Sequence, residues 1–252
     1  MKSPSLLFLA LLPFVSLAIA RSSVPSTNRA PFDVTGGLGA APSLAMAWQR
    51  GAGLAGSYNI VAATTPDGAG SYRGVVQIKP LGKAFDLTWT VNDSGRYRGV
   101  GLEVDGILAV GWSAGERYGV AVYRIGSGAL GGLWTASGLN GEIGTETLEG
   151  PANLNGAYKI TRGALGSQTY SGTATIAPAG EIYQVKWELP NRSDMGIGFR
   201  QGNLLIVGWG QADLDAGVIA YRINAKAGAL DGRWANPRSS ALGTEKLIRA
   251  SN

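Results

Sequence analysis

The chain of 252 residues says the same thing twice, and this duplication constrains its fold more than any single motif. Leu54-Ala55-Gly56-Ser57-Tyr58-Asn59-Ile60 returns as Leu154-Asn155-Gly156-Ala157-Tyr158-Lys159-Ile160. Phe85-x-Leu87-x-Trp89 returns as Tyr183-x-Val185-x-Trp187, and Val110-Gly111-Trp112 as Val207-Gly208-Trp209. Tyr72 meets Tyr170, and Tyr123-Arg124-Ile125 meets Tyr221-Arg222-Ile223. Gly128-Ala129-Leu130-x-Gly132-x-Trp134 matches Gly228-Ala229-Leu230-x-Gly232-x-Trp234. Each copy then closes on Gly-Thr-Glu-x-Leu, at Gly144–Leu148 and Gly243–Leu247. A repeat of this length marks two related structural units, so the fold must be read per copy.

Within each copy the apolar period is two. Phe85, Leu87 and Trp89 fall on one side of an extended segment, as do Leu108, Val110 and Trp112. Runs of this kind recur every 10–12 residues between Gly, Asn, Asp and Ser. In the first copy they predict strands over 56–63, 71–79, 84–91, 96–104, 107–113, 118–126, 129–135 and 143–148. No segment has a helical period. The 39 glycines suit tight hairpins and close strand approach. About eight meandering strands per copy close most simply as an up-and-down barrel, which leaves no exposed sheet edge. The expected fold is therefore all-β: two tandem antiparallel up-and-down β-barrels of about eight strands each. Two β-sandwiches or one larger barrel are the alternatives.

The division that follows is a signal peptide at 1–20, a flexible lead or linker at 21–53, a first barrel at 54–150 and a second at 151–252. Lys2, the apolar run Leu6–Ala18 and the small-residue Ala18-Ile19-Ala20 pattern make up the signal peptide. The run is too short for the roughly 20 apolar residues of a membrane span, so no transmembrane anchor is expected. Cleavage after Ala20 places the mature protein in the periplasm or outside the cell. Trp48, in the lead, has no counterpart in the second copy.

The strand count, the opening Gly-x-aromatic at Gly56-Ser57-Tyr58 and Gly156-Ala157-Tyr158, and the inward tryptophans resemble the calycin group, which includes lipocalins and avidins. Lipocalins open with Trp where this chain has Tyr. The resemblance implies a barrel able to hold a ligand. Over 54–248, the succession VGWG, YRI, GALDGRWA and GTE also resembles an uncharacterised family of secreted bacterial tandem-repeat proteins, which implies an exported location more than an activity.

Composition removes several chemistries. The chain has no histidine and no cysteine, so disulfides, thiolates and the usual zinc or transition-metal ligands are absent. Gly111-Trp112-Ser113-Ala114-Gly115 fits the G-x-S-x-G elbow of serine hydrolases, but that elbow needs a histidine and a strand–turn–helix setting. The second copy has Gly210 in place of Ser113. Asp213-x-Asp215-x-Gly217 has part of a calcium-loop pattern without its bidentate Glu, and reads as a hairpin turn. No catalytic residue, metal ligand or cofactor is assigned, and the chain reads as a non-enzyme. The formal charge of +5 is spread without a basic run, with net −2 over 54–150 and net +4 over 151–252. Nucleic acid is not an expected partner.

Two charges stand out. Glu146 and Glu245 share a strand face with Leu148 and Leu247, which belong in a core. A buried carboxylate there must be hydrogen-bonded or have its pKa raised. It is either a structural tie to backbone amides, tyrosine or arginine, or a polar anchor in a ligand cavity. Matched aromatics, Tyr58, Trp89, Trp112 and Trp134 with Tyr158, Trp187, Trp209 and Trp234, either fill the barrels or line such a cavity. These ten residues are the ligand-binding candidates. Arg124 and Arg222 lie on the opposite face from their tyrosine and isoleucine neighbours, and the alternation leaves open which face is interior. The expected function is an exported, non-enzymatic protein of the bacterial envelope that binds a small molecule, lipid or glycan. A structural or adhesive protein with solid barrels is the second reading, and a carboxylate enzyme the third.

Overall fold

The computed structural model describes residues 53–92, 95–210 and 216–251. The expected signal peptide, almost all of the lead with Trp48, and the Asp213/Asp215 pair lie outside the described residues. The first repeat supplies β1 (Gly56–Thr64), β2 (Gly74–Leu81), β3 (Ala84–Val91), β4 (Gly95–Val104), β5 (Ile107–Ser113), β6 (Tyr118–Ile125), β7 (Ala129–Ala136) and β8 (Gly144–Glu149). The second supplies β9 (Gly156–Leu165), β10 (Gln168–Ala179), β11 (Ile182–Leu189), β12 (Arg192–Gln201), β13 (Leu204–Gly210), β14 (Ala216–Asn224), β15 (Ala229–Ala235) and β16 (Gly243–Arg249). A single 3₁₀ turn, Ala225–Ala227, joins β14 to β15. Each strand exists for the reason its sequence gives. Tyr58 and Ile60 point inward from β1 while Asn59 faces out, and Val76 and Ile78 alternate with Gln77 and Lys79 on β2.

The strands close two eight-stranded antiparallel barrels. Barrel A runs β1-β2-β3-β4-β5-β14-β15-β16 and returns to β1, whereas barrel B is the uninterrupted meander β6 to β13. This corrects the expected division at residue 150. Each barrel takes five strands from one repeat and three from the other. Barrel B is in effect inserted between β5 and β14 of barrel A. The cut is made at one place, because Ser113 lies opposite Ala216 in barrel A and Tyr118 opposite Gly210 in barrel B. Insertion therefore leaves both barrels closed.

The physical reason is that the repeats carry interchangeable pairing patterns. Trp112 lies opposite Gly217 on β14, the second-repeat equivalent of Gly119 on β6. Leu108 lies opposite Tyr221, the equivalent of Tyr123. β5 thus meets on β14 the same pattern that its own hairpin partner would offer. Where β5 passes β6, a Cβ on Gly111 would collide with the Gly119 carbonyl, and Gly208 stands likewise against Gly217. The backbones touch there, and only glycine allows it.

Three apolar cores result. One fills barrel A around Val76, Leu87, Leu108 and Leu247; another fills barrel B around Leu130, Leu148, Ile160 and Leu205. The third lies between the barrels, where Val100, Leu102, Val120, Val122, Phe199 and Ile206 pack outer face against outer face. β5, β6, β13 and β14 are accordingly buried on both sides over most of their length. Away from that interface the outer faces carry exposed Asn59, Gln77, Lys79, Lys159, Thr173 and Lys186, unlike the apolar band of a lipid-facing barrel. Among the described residues no helix is long and apolar enough to cross a membrane.

Candidate functional site

Both expected glutamates point into their barrels. Glu245, on β16, is 3% exposed, and Glu146, on β8, is 4% exposed. The exchange of strands decides their company. Glu245 accepts from Tyr72 Oη on its Oε2 at 2.8 Å, from Trp89 Nε1 on its Oε1 at 3.2 Å, and from Tyr221 Oη on the same Oε1. Tyr72 and Trp89 come from the first repeat, Tyr221 and Glu245 from the second. Glu146 repeats the arrangement in barrel B, accepting from Tyr123 Oη at 2.6 Å and Tyr170 Oη at 2.9 Å. Trp187 Nε1 donates to Tyr123 Oη at 3.1 Å, as Trp89 does to Tyr221 Oη at 3.3 Å.

Burial dominates the electrostatics. It raises the pKa of Glu245 and of Glu146, and the tyrosine and indole hydrogen bonds oppose the shift without cancelling it. None of the groups that shift either glutamate is a cation. Tyr72, Tyr123, Tyr170 and Tyr221 are raised too, first by burial and then by the adjacent glutamate, so they stay protonated as hydrogen-bond donors. Glycines seat the tyrosines. A Cβ at Gly232 would strike the Tyr221 ring, and one at Gly132 the Tyr123 ring.

A cavity of about 210 Å³ opens above Glu245 at one end of barrel A. Its walls include Tyr72, Trp89, Tyr97, Trp112 and Trp234, with Thr65, Asn236 and Arg238 among the polar groups. The rings meet edge to face in sequence: Tyr97–Trp112 at 5.3 Å, Trp112–Trp234 at 6.1 Å and Trp234–Tyr72 at 6.1 Å. Trp112 lies against Gly217, and Trp234 against Gly243, where no side chain would fit beneath the indole. The Trp234 indole N–H donates to Thr64 O at 3.0 Å, which fixes its ring. Below this level barrel A is filled. A second hollow, about 200 Å³ with Gln184, Met195, Ile197 and Pro237 in its walls, lies outside the barrel walls and has no glutamate.

Of the ten sequence candidates, Trp89, Trp112, Trp234 and Glu245 are brought together at the cavity. Glu146, Trp134, Trp187 and Trp209 form the matching end of barrel B, where Trp134 meets Tyr170 edge to face at 6.2 Å. Tyr58 and Tyr158 belong elsewhere. Tyr58 Oη donates to Leu54 O at 3.0 Å and accepts from Arg249, whose guanidinium sits 4.8 Å from the ring centre. Five residues along β1 separate Tyr58 from Ala63, the Cα partner of Glu245. At about 3.3 Å per residue, Tyr58 sits well down the barrel from the cavity. Tyr158 Oη is likewise tied to Pro151 O at 2.6 Å. These two close the other barrel ends.

Sequence reasoning missed Tyr72, Tyr97, Tyr123, Tyr170, Tyr221 and Arg238. Four of these tyrosines sat in the repeat alignment, and for Tyr123, Tyr170 and Tyr221 the signal was a tyrosine able to cover a glycine one strand away. Ser113 is fully buried at the end of β5, its Oγ accepting from the Gly115 amide at 2.9 Å. It caps a strand-to-strand crossing, and a hydrolase elbow requires a strand-to-helix turn. Arg124 faces outward and donates to Asp105 at 2.7 Å; Arg222 is exposed, which makes the tyrosine face the interior. Among the described residues no three His, Cys, Asp or Glu side chains are grouped as a metal site.

Fold and site together define a class: a double eight-stranded barrel with an aromatic cavity over a buried glutamate. No family model, curated protein or solved structure matches the chain.

Proposed function

We propose that this protein is an exported, non-enzymatic binding protein that takes a small ligand into the mouth of barrel A. The observation that carries this is the cavity of about 210 Å³ walled by Trp89, Trp112, Trp234, Tyr72 and Tyr97. Ligand sites are concave, mostly apolar and furnished with a few polar groups, and this cavity has Glu245, Asn236 and Arg238. An apolar cavity of about 150 Å³ holds benzene, so the ligand is somewhat larger than benzene. A whole lipid or oligosaccharide exceeds that volume; only one end of it would enter.

A binding role suits the chemistry better than catalysis. Glycosidase-type chemistry needs two carboxylates at one bond. Glu245 is the one carboxylate among the residues named in the cavity wall, and Glu146 belongs to the other barrel. Export is supported by the composition of residues 1–20.

Native mass spectrometry of the purified full chain tests the binding role, together with tryptophan fluorescence during titration with small apolar and sugar ligands. The expected results are a co-purified mass and a fluorescence change lost in Trp112→Ala. An empty chain whose fluorescence no ligand moves would contradict it.

A further inference from the structure

We infer that the cavity of barrel A selects a small organic cation, an amine or quaternary ammonium group seated against Trp112 and Trp234 with its charge toward Glu245. This inference rests on the cavity being a binding site and names the class of ligand it takes.

The walls supply the first half of the recognition. Tyr97, Trp112, Trp234 and Tyr72 form a chain of edge-to-face contacts with interplanar angles between 66° and 80°. Successive rings therefore stand at steep angles to one another along the wall of one hollow. A cation attracted to the negative face of an aromatic ring gains most where several rings surround it and water is excluded. An apolar wall of leucine and valine would hold a neutral ligand equally well and give a cation nothing.

The floor supplies the second half. Glu245 borders the cavity, and its hydrogen-bond donors are two tyrosine hydroxyls and an indole, all neutral. Its Oε1 receives two of them and its Oε2 receives Tyr72. A carboxylate oxygen accepts along two lone pairs, so Oε2, with Tyr72 as its donor, keeps acceptor capacity for an amine N–H, and a quaternary ammonium pairs with the glutamate by charge alone. Arg238 follows the end of β15, outside Trp234, whereas Glu245 pairs with Gly232, two residues deeper. A cation that passes the rim pairs with Glu245 at the floor, whereas an anion seated there would meet the glutamate's like charge.

Barrel B shows what the selection depends on. Tyr97 lies opposite Trp89 in barrel A; at the equivalent position opposite Trp187, barrel B has Asp194. Asp194 is ion-paired with Arg192 at 2.9 Å. The aromatic wall is interrupted there, so one cation per chain is expected.

Three probes of nearly equal shape test this by calorimetry on the full chain. They are choline, its uncharged carbon isostere 3,3-dimethyl-1-butanol, and anionic 3,3-dimethylbutanoate. Choline should bind with a stoichiometry of one and on the order of tenfold or more tighter than the isostere, while the anion binds weakest. Glu245→Gln should erase most of the gap between choline and isostere. Should that variant fail to fold, Tyr97→Leu at the rim should narrow the same gap. Phosphatidylcholine vesicles run beside free choline tell a lipid headgroup from a free cation, and binding of either sustains the inference. Equal binding of choline and isostere overturns it while leaving the cavity a binding site. If none of the three binds, the inference falls, and the co-purified mass and fluorescence titration alone decide whether the cavity is a binding site.

Discussion

Glu245 shows how one residue can be legible in sequence while its setting is not. Its place on the face of Leu247 marks it as interior, and it is. Its partners are hidden, because Tyr72 and Tyr221 lie in different repeats and only strand exchange joins them to it. The electrostatics yield a test. Burial raises the native pKa of Glu245 above the ordinary value of about 4.5, against the hydrogen bonds from Tyr221, Tyr72 and Trp89. A native pKa raised above the unfolded one gives stability that is complete below the unfolded value and lost as pH rises through the native value. Glu245→Gln keeps a neutral hydrogen-bonding group and does not titrate. Wild type should therefore lose ground to Glu245→Gln in calorimetric Tm as pH rises from about 4.5. A difference that stays flat across that range would show that the charge is not buried.

At the scale of the element, periodicity gave the strands with small errors. The segment expected at 71–79 is β2 at Gly74–Leu81, and 107–113 matches β5. What periodicity missed was the second face. A period of two puts Leu108, Val110 and Trp112 on one side of the strand and gives Ile107 and Ala109, on the other side, no role. Both are buried in the core between the barrels. Continuous apolar runs, Ile107–Val110, Leu204–Val207 and Val218–Ala220, are the signature of strands buried on both sides. The glycine of the VGW motif belongs to the same interface. Gly111→Ala puts a methyl group into the Gly119 carbonyl, and the backbone must move to admit it. It should destabilise the protein by about 1–3 kcal/mol or more in urea denaturation. Unchanged stability would rule out the close crossing of β5 and β6.

For the whole molecule, duplication predicted two barrels but not how the chain shares them. A strand can pair with its neighbour in sequence or with that neighbour's copy in the other repeat, and the local pattern is satisfied either way. The sequence therefore contains the barrel twice and the insertion only implicitly, in strands with two apolar faces. The cavity depends on that choice, since Trp89, Trp112 and Tyr72 reach Glu245, Tyr221 and Trp234 only if β14–β16 complete the barrel begun by β1–β5. The absence of native cysteine makes a direct measurement simple. Asn59 lies opposite Ile248 across the β1–β16 seam, whereas a barrel made from the first repeat alone would place Asn59 opposite Glu149, the repeat equivalent of Ile248. Directly paired residues have Cα atoms about 4.5–5.5 Å apart, within reach of a disulfide. The pair Asn59→Cys with Ile248→Cys should oxidise to an intramolecular disulfide in the folded protein, and Asn59→Cys with Glu149→Cys should not. Cross-linking of the Glu149 pair in place of the Ile248 pair would contradict the shared barrels and the site built from them.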